Sequence, residues 1–261
     1  MALLPSLFIS HGAPTLAIDS SPAHHFLLNL GKSLPRPKAI LVASAHWESV
    51  GGPTVSLATQ PETIHDFGGF SEALYKLRYP APGAPELAAR AASLLNADGF
   101  AVKQIQQRGL DHGAWVPLHL MYPEADIPVT QISLLRSGSP VEHEKMGQAL
   151  ASLRTEGVLI IGSGSFTHNL SELIGHSIDA DVPAWVLDFD EWMKDKLEAN
   201  QSEALLRYRT EAPFAVLNHP TEEHITPLFV AMGAAGPKAR SHRLHSSHEY
   251  GVLAMDAYAF T

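Results

Sequence analysis

The chain has 261 residues, 45% of them hydrophobic and 17% charged, which suits one large α/β domain or two small ones with a sizeable core and argues against disorder. A formal charge of −9 with no Lys/Arg cluster disfavours nucleic acid as a partner. There is no cysteine, so disulfides, thiolate metal sites, Cys nucleophiles and iron–sulfur clusters are excluded, and any metal is held by nitrogen and oxygen.

The N-terminal MALLPSLFIS lacks a basic flank and is interrupted by Pro5, which makes it a poor signal peptide. No apolar run approaches the roughly 20 residues that span a bilayer. The expectation is a soluble, cytoplasmic protein with no membrane partner.

Taken in order, LFISHGAP (Leu7–Pro14) is an apolar run that reads as a buried strand and then presents His11. Asp19–Gly31 opens with Ser/Pro helix-start signals and ends at Gly, the first crossover helix. PRPKAILVASA (Pro35–Ala45) is the second strand and the most strand-like run, with His46 presented directly after it in AILVASAHWES (Ala39–Ser49), and Thr54–Ala58 follows a Gly-Gly-Pro turn as a strand or hairpin. Gln60–Gly83, rich in Gly, Pro and aromatics, is a long structured loop carrying one short helix at Ser71–Arg78; loops of this length are usually functional. Ala84–Ala97 is a helix, Phe100–Ile105 a strand, Leu110–Pro123 a turn and short helix, and Ile127–Leu134 a strand. Pro140–Glu156 is an amphipathic helix, and the strand VLIIG (Val158–Gly162) leads into GSGSFTHNL with His168. Val182–Asn200, continuing to about Arg209, reads as helix, and Thr221–Ala235 as an apolar helix with His224 in its first turn. The tail Ser241–Phe260 turns strand-like from Gly251. With no internal repeat or linker, the pattern predicts one α/β domain over residues 1–261: a mostly parallel central sheet flanked by helices.

In such a sheet, ligands bind beyond the carboxyl ends of the strands. Fifteen histidines stand against eighteen Lys plus Arg, and neutral imidazole is the commonest metal ligand. His11, His46 and His168 each leave a strand end; the alternative for any one alone is a bond to a turn backbone, and it is the three together that point to a shared site. His224 is flanked by Glu222 and Glu223; on a helix neighbouring residues point about 100° apart, so one of the three shares a site and His224 and Glu223 compete. The two glutamates would alternatively complement the helix N-terminus. His65 (TIHDFGG) and His112 (LDHGAW) suit a pocket wall, a proton-transfer role or loop packing. His242, His245 and His248, at three-residue spacing, read as a metal tract or an exposed polar connector, the second being the commoner arrangement. Trp47, Phe67, Phe70, Tyr75 and Trp115 are candidate pocket aromatics. Two or three histidines with an optional carboxylate suit Zn(II) or non-haem Fe(II).

The segments SHGAP, PKAILVASAHWES, TIHDFGGFSEALYKLRYPAPG, LDHGAWVPLHLMYPEADIPVTQISL, GSGSFTHNL and HPTEEHITPL closely resemble the DODA-type extradiol ring-opening dioxygenases. These belong to the class III extradiol superfamily that includes the catalytic subunit of protocatechuate 4,5-dioxygenase. The resemblance runs from about Leu7 to the C-terminal strand. It implies Fe(II) for activity, with Zn(II) common in isolated protein, and a small catechol, DOPA-like or related, plus O2 as substrates. His11, His46 and His224 then match the metal ligands, with Glu223 as the fallback, because the wider superfamily tends to place a carboxylate at that position. His168 matches the histidine beside the metal, an acid–base residue or a fourth ligand. His112 and His65 are expected to stabilise the oxygens derived from O2. The implied product is a muconic semialdehyde. A zinc hydrolase of a small amide or ester, and a non-catalytic metal-storage protein, are the competing readings. Oligomeric state is not specified by the patterning.

Overall fold

The computed structural model describes residues 3–261. Among the described residues ten strands form: β1 (Ser6–Ser10), β2 (Ala39–Ser49), β3 (Thr54–Ser56), β4 (Lys103–Ile105), β5 (Val129–Leu135), β6 (Val158–Gly164), β7 (Ser241–His245), β8 (His248–Glu249), β9 (Leu253–Ala254) and β10 (Ala257–Phe260). Eight of them make one sheet in the order β4-β3-β5-β2-β6-β1-β10-β7, and β8 and β9 pair separately. The central strands β5, β2, β6 and β1 run parallel. β10 and β7 add an antiparallel edge beside β1, and β3 meets β5 antiparallel at the other side. β1, β5 and β6 are buried almost throughout, as the continuous apolar runs of a sheet covered on both faces require.

Helices cover both faces. Pro22–Ser33 and His112–Met121 pack with Leu7, Ile9, Ile40 and Val42 into one core. On the other face Pro85–Ala97 and Pro140–Leu150 close over Leu41, Ala43 and Ile160, and the helix Thr226–Ala235, buried from Thr226 to Ala234, lies between that core and the one under Phe8 and Tyr258. The helix starts follow local chemistry. Ser21 accepts from the His24 amide with Pro22 in the first turn, and Ser139 and Glu142 form a reciprocal capping box.

Several boundaries depart from the sequence reading. The first crossover helix begins at Pro22 rather than Asp19, because Ser21 is the capping residue. The 182–209 stretch is three helices, Ala184–Glu198, Ser202–Leu206 and Tyr208–Glu211, broken at Asn200, whose φ is 53°. The tail is strand from Ser241, ten residues earlier than expected, as an edge strand whose side chains alternate between half-buried and exposed. Strand β2 runs through His46 instead of ending before it. Its pairing with β5 jumps from Ser44↔Ser133 to Glu48↔Leu134, so Ala45, His46 and Trp47 bulge out of the ladder. His224 precedes its helix: the helix starts at Thr226, with Pro227 in the first turn, and residues 221–225 form a turn.

Candidate metal centre

The three adjacent strands β2, β6 and β1 end at one place, and the site sits there. His11 follows β1 directly, its amide bonded to the Gly164 carbonyl at 2.9 Å. The β2 bulge turns His46 toward it, and the two Nε2 atoms are 3.0 Å apart. The turn carrying His224 lies on β6, with the Ser165 amide donating to the His224 carbonyl at 2.8 Å. This close approach requires Gly164, where a Cβ would sit 2.0 Å from that carbonyl oxygen. One ring nitrogen from each of His11, His46 and His224 lies within 4.8 Å of the others.

The outer nitrogen of each imidazole has a partner. Ser163 Oγ donates to the Gly113 carbonyl, so it receives the Nδ1–H of His11, 3.0 Å away, and directs His11 Nε2 into the site as a lone pair. The Gly113 carbonyl is free for this bond because Pro117, four residues on, has no N–H to offer it. His224 Nδ1 donates to Glu223 Oε1 at 3.0 Å, which leaves its Nε2 open. Glu223 and His224 lie in a turn and not on the helix that the spacing suggested, and His168, Glu223 and His224 also lie close enough together to share an ion. His46 Nδ1 lies 3.5 Å from Asp66 Oδ2. Burial, with neighbouring imidazoles adding to it, keeps His11 and His224 neutral well below the usual histidine range and lowers His46 to about 4. Three neutral imidazoles with oriented outer nitrogens are the donor set of a divalent transition-metal ion, so this chain's residues fit one.

Two more histidines border the cluster. His168 stacks on His224, with ring centroids 3.5 Å apart and planes 9° from parallel, and burial lowers it to about 4. His112 opens the helix His112–Met121, which Asp111 caps by accepting from the Ala114 amide. Both the amide and Nδ1 of His112 donate to Asp66 Oδ1, at 2.9 and 3.0 Å. Against the cost of burial, these bonds hold Asp66 down at about 2. Asp66 went unrecognised in the sequence, although the His-Asp-Phe-Gly-Gly string that drew attention to His65 contains it.

His65 itself is not brought to the cluster. It lies behind Phe67 and Trp115, with Nε2 3.2 Å from the Leu77 carbonyl, so loop packing is the role its position supports. Trp115 is fully buried and donates Nε1–H to the Ile64 carbonyl, Trp47 lies under Arg108, and Tyr75 packs on Phe67. Of the five expected pocket aromatics, Phe67 and Phe70 line the cavity, and Tyr250 joins them unforeseen. The C-terminal histidines diverge: His245 stacks on Phe26, and His248 faces Asp190.

The five clustered histidines, His11, His46, His112, His168 and His224, form the floor of a cavity of about 570 Å3, walled by apolar side chains, a size suited to a small organic ligand. A separate hollow of about 670 Å3, lined by Glu223 and Arg136, has its arginines engaged with glutamates and gathers no histidines. Among the described residues no helix is long and apolar enough to cross a membrane.

Comparison with known proteins agrees with this geometry. Residues 5–260 match the family described as the catalytic LigB subunit of aromatic ring-opening dioxygenase. A protein of Beta vulgaris named 4,5-DOPA dioxygenase extradiol is 48% identical over 98% of this chain and 96% of its own. The Escherichia coli K12 protein of the same name is 39% identical over 88% and 85%. The crystal structure of an uncharacterized Escherichia coli K12 protein superposes with a TM-score of 0.81 at 34% identity, covering 99% of this chain and 100% of that one. With a family match over nearly its whole length and a histidine floor where that family's chemistry needs one, the chain belongs to the LigB family of aromatic ring-opening dioxygenases.

Proposed function

We propose that the chain opens a catechol-type ring by the extradiol route, inserting both atoms of O2 to give a muconic semialdehyde. In this reading His11, His46 and His224 hold a divalent metal, Fe(II) in the active form. The observation that carries the reading is the convergence of three imidazoles on the floor of a cavity, with the outer nitrogens of His11 and His224 bonded to Ser163 and Glu223 and that of His46 3.5 Å from Asp66. A bound Fe(II) ion supplies Lewis acidity that depresses the phenol pKa and open positions for substrate and O2 side by side.

The chain's own residues supply orientation and proton handling. His168 and His112 border the three imidazoles and line the same cavity. His168, uncharged in the fold, is placed to accept the remaining phenolic proton at a ring nitrogen. His112 is fixed through Nδ1 by Asp66, so its Nε2 is presented to the cavity. Phe67, Phe70 and Tyr250 exclude water from the ring.

The test is oxygen uptake by protein loaded anaerobically with Fe(II), against a panel of catechols including DOPA and protocatechuate. The expected result is uptake matched one to one by a yellow ring-fission product. Turnover of an ester or amide that is indifferent to oxygen, with no uptake on any catechol, would favour the zinc hydrolase instead.

A further inference from the structure

His46 stands outside the sheet ladder on both sides: β2 pairs with β6 only as far as Ser44↔Ser163, and its pairing with β5 resumes at Glu48↔Leu134. Side chains meet its backbone groups instead. The His46 amide donates to Ser44 Oγ at 3.2 Å, and the His46 carbonyl accepts from Arg108 Nη2 at 3.3 Å. Both partners are anchored on Asp111, which is fully buried. Asp111 Oδ1 accepts the Ser44 hydroxyl at 2.6 Å, and Oδ2 accepts from the same Arg108 Nη2 at 2.9 Å. Because Ser44 gives its hydrogen to Asp111, only its lone pairs are left for the His46 amide. Gln131 on β5 donates to Asp111 Oδ2 at 2.8 Å and ties the carboxylate to the sheet. The Arg108 guanidinium carbon also lies 4.7 Å from the centre of the Trp47 ring, the residue after His46. Arg108 Nε is buried with no acceptor among the described residues. An ion pair serving stability alone gives no reason to leave that donor bare; an orientation flat on Trp47, with Nη2 at the His46 carbonyl, gives one.

Resting on the reading of His46 as a metal ligand, we infer that Arg108 is a positioning residue: it fixes the β2 bulge so that the His46 imidazole faces His11 and His224. Arg108 is not among the residues lining the cavity, so it acts through His46 and not on a substrate. A bulge without ladder bonds needs its backbone direction set from outside. The guanidinium does this through three contacts at once, the His46 carbonyl, the Trp47 ring and Asp111. A lysine ammonium keeps the charge and reaches Asp111, but has no planar face to lay on the indole while it serves both oxygens.

The test is Arg108→Lys, compared with Arg154→Lys. Arg154 is also a buried guanidinium on backbone carbonyls, those of Leu4, Ala234 and Phe260, at the opposite end of β1. Three readouts are taken: Zn(II) affinity against a competing chelator, the visible spectrum of anaerobic Co(II)-loaded protein, and the urea midpoint of the metal-free protein. Arg108→Lys is expected to weaken Zn(II) binding about tenfold or more and to change the position and intensity of the Co(II) bands. Arg154→Lys is expected to lower the urea midpoint while leaving affinity and spectrum at wild-type values. Trp47→Leu, which removes the stacking face, is expected to shift the Co(II) bands in the same direction as Arg108→Lys. Wild-type affinity and spectrum in Arg108→Lys, whatever its midpoint, would overturn the inference; should that variant not fold, an unchanged spectrum in Trp47→Leu would do the same. If the unmodified protein takes up no stoichiometric metal, the metal reading falls and the inference with it.

Discussion

His11 and His46 face each other Nε2 to Nε2 at 3.0 Å, while His11 Nδ1 is held by Ser163. Because His11 gives its hydrogen to Ser163, a hydrogen between the facing atoms belongs to His46. A metal bound by both would displace it to His46 Nδ1, toward Asp66 Oδ2 at 3.5 Å. His11→Ala and His46→Ala are therefore expected to abolish stoichiometric metal binding. Ser163→Ala, which removes only the partner of the outer nitrogen, is expected to weaken affinity by about 10–100-fold. Titration of Zn(II) against a competing chelator measures both; wild-type affinity in His46→Ala would remove it from the ligand set.

His168 separates two roles that its position alone permits, since it stacks on His224 and also lines the cavity. As an acid–base residue, its replacement by Ala should lower kcat by about 10²–10⁴-fold with full metal content. Asp66→Asn should also keep the metal and lower kcat, because it removes the carboxylate behind His112 without shortening the side chain. Metal analysis beside steady-state kinetics decides the question. Loss of metal from His168→Ala would make it a fourth ligand.

Acid should destabilise the metal-free protein before it protonates most carboxylates. His46 and His168 are lowered to about 4 by burial, and His219, fully buried with its Nε2–H on the Phe166 carbonyl, to about 3. Between these values and the ordinary 6.5 the unfolded chain binds more protons than the folded one, so stability rises with pH in that window. It is complete above about 6.5 and is lost as pH falls toward 4, by at most roughly 3 kcal/mol for each of His46 and His168. Urea unfolding at about pH 7, 5.5 and 4.5 should show a falling midpoint; a flat profile would mean the imidazoles are hydrated and ordinary.

The strand ends were legible in the sequence because a fully buried parallel strand writes itself as an apolar run closed by small residues, as at Ser6–Ser10 and Val158–Gly164. The histidines at those ends followed. What the residue string hides is whatever depends on a neighbour distant in sequence. Ser163 matters because β6 lies beside β1 in the register Ile9↔Ser163, and Asp66 because a loop 46 residues from His112 folds back onto it. The β2 bulge has no glycine to announce it. The start of the helix after His224 did have a signal, Thr226-Pro227, since proline favours a first turn. Apolar continuity had extended that helix backward over a polar turn.

Gly113 is where the site and the helix His112–Met121 touch. A Cβ there would lie 2.5 Å from Ser44 Oγ, 3.0 Å from His46 Cδ2 and 3.1 Å from His11 Nδ1. Ser44 cannot simply swing away, because its hydroxyl is bonded to Asp111 at 2.6 Å. Gly113→Ala should therefore push His11 and His46 apart, weakening metal binding by about tenfold or more and destabilising the fold by about 1–3 kcal/mol. Zn(II) titration and thermal unfolding of the metal-free variant measure the two effects. Unchanged affinity would show that the rings yield freely.

Pro117 presents a case in which stability and function should move in opposite directions. Inside a helix, proline costs up to about 3 kcal/mol because it removes one backbone bond and crowds the carbonyl four residues earlier. Here that carbonyl belongs to Gly113, and it receives the Ser163 hydroxyl whose oxygen in turn holds His11 Nδ1. Pro117→Ala restores an amide that competes for the Gly113 carbonyl. The helix gains a bond, and Ser163 loses the acceptor that fixes its hydroxyl direction. The expected variant melts at the same temperature or higher, yet binds Zn(II) several-fold to about tenfold more weakly, with His11 free to change tautomer. A variant both less stable and unaltered in metal affinity would show that Pro117 serves only the packing of its helix against Pro22–Ser33.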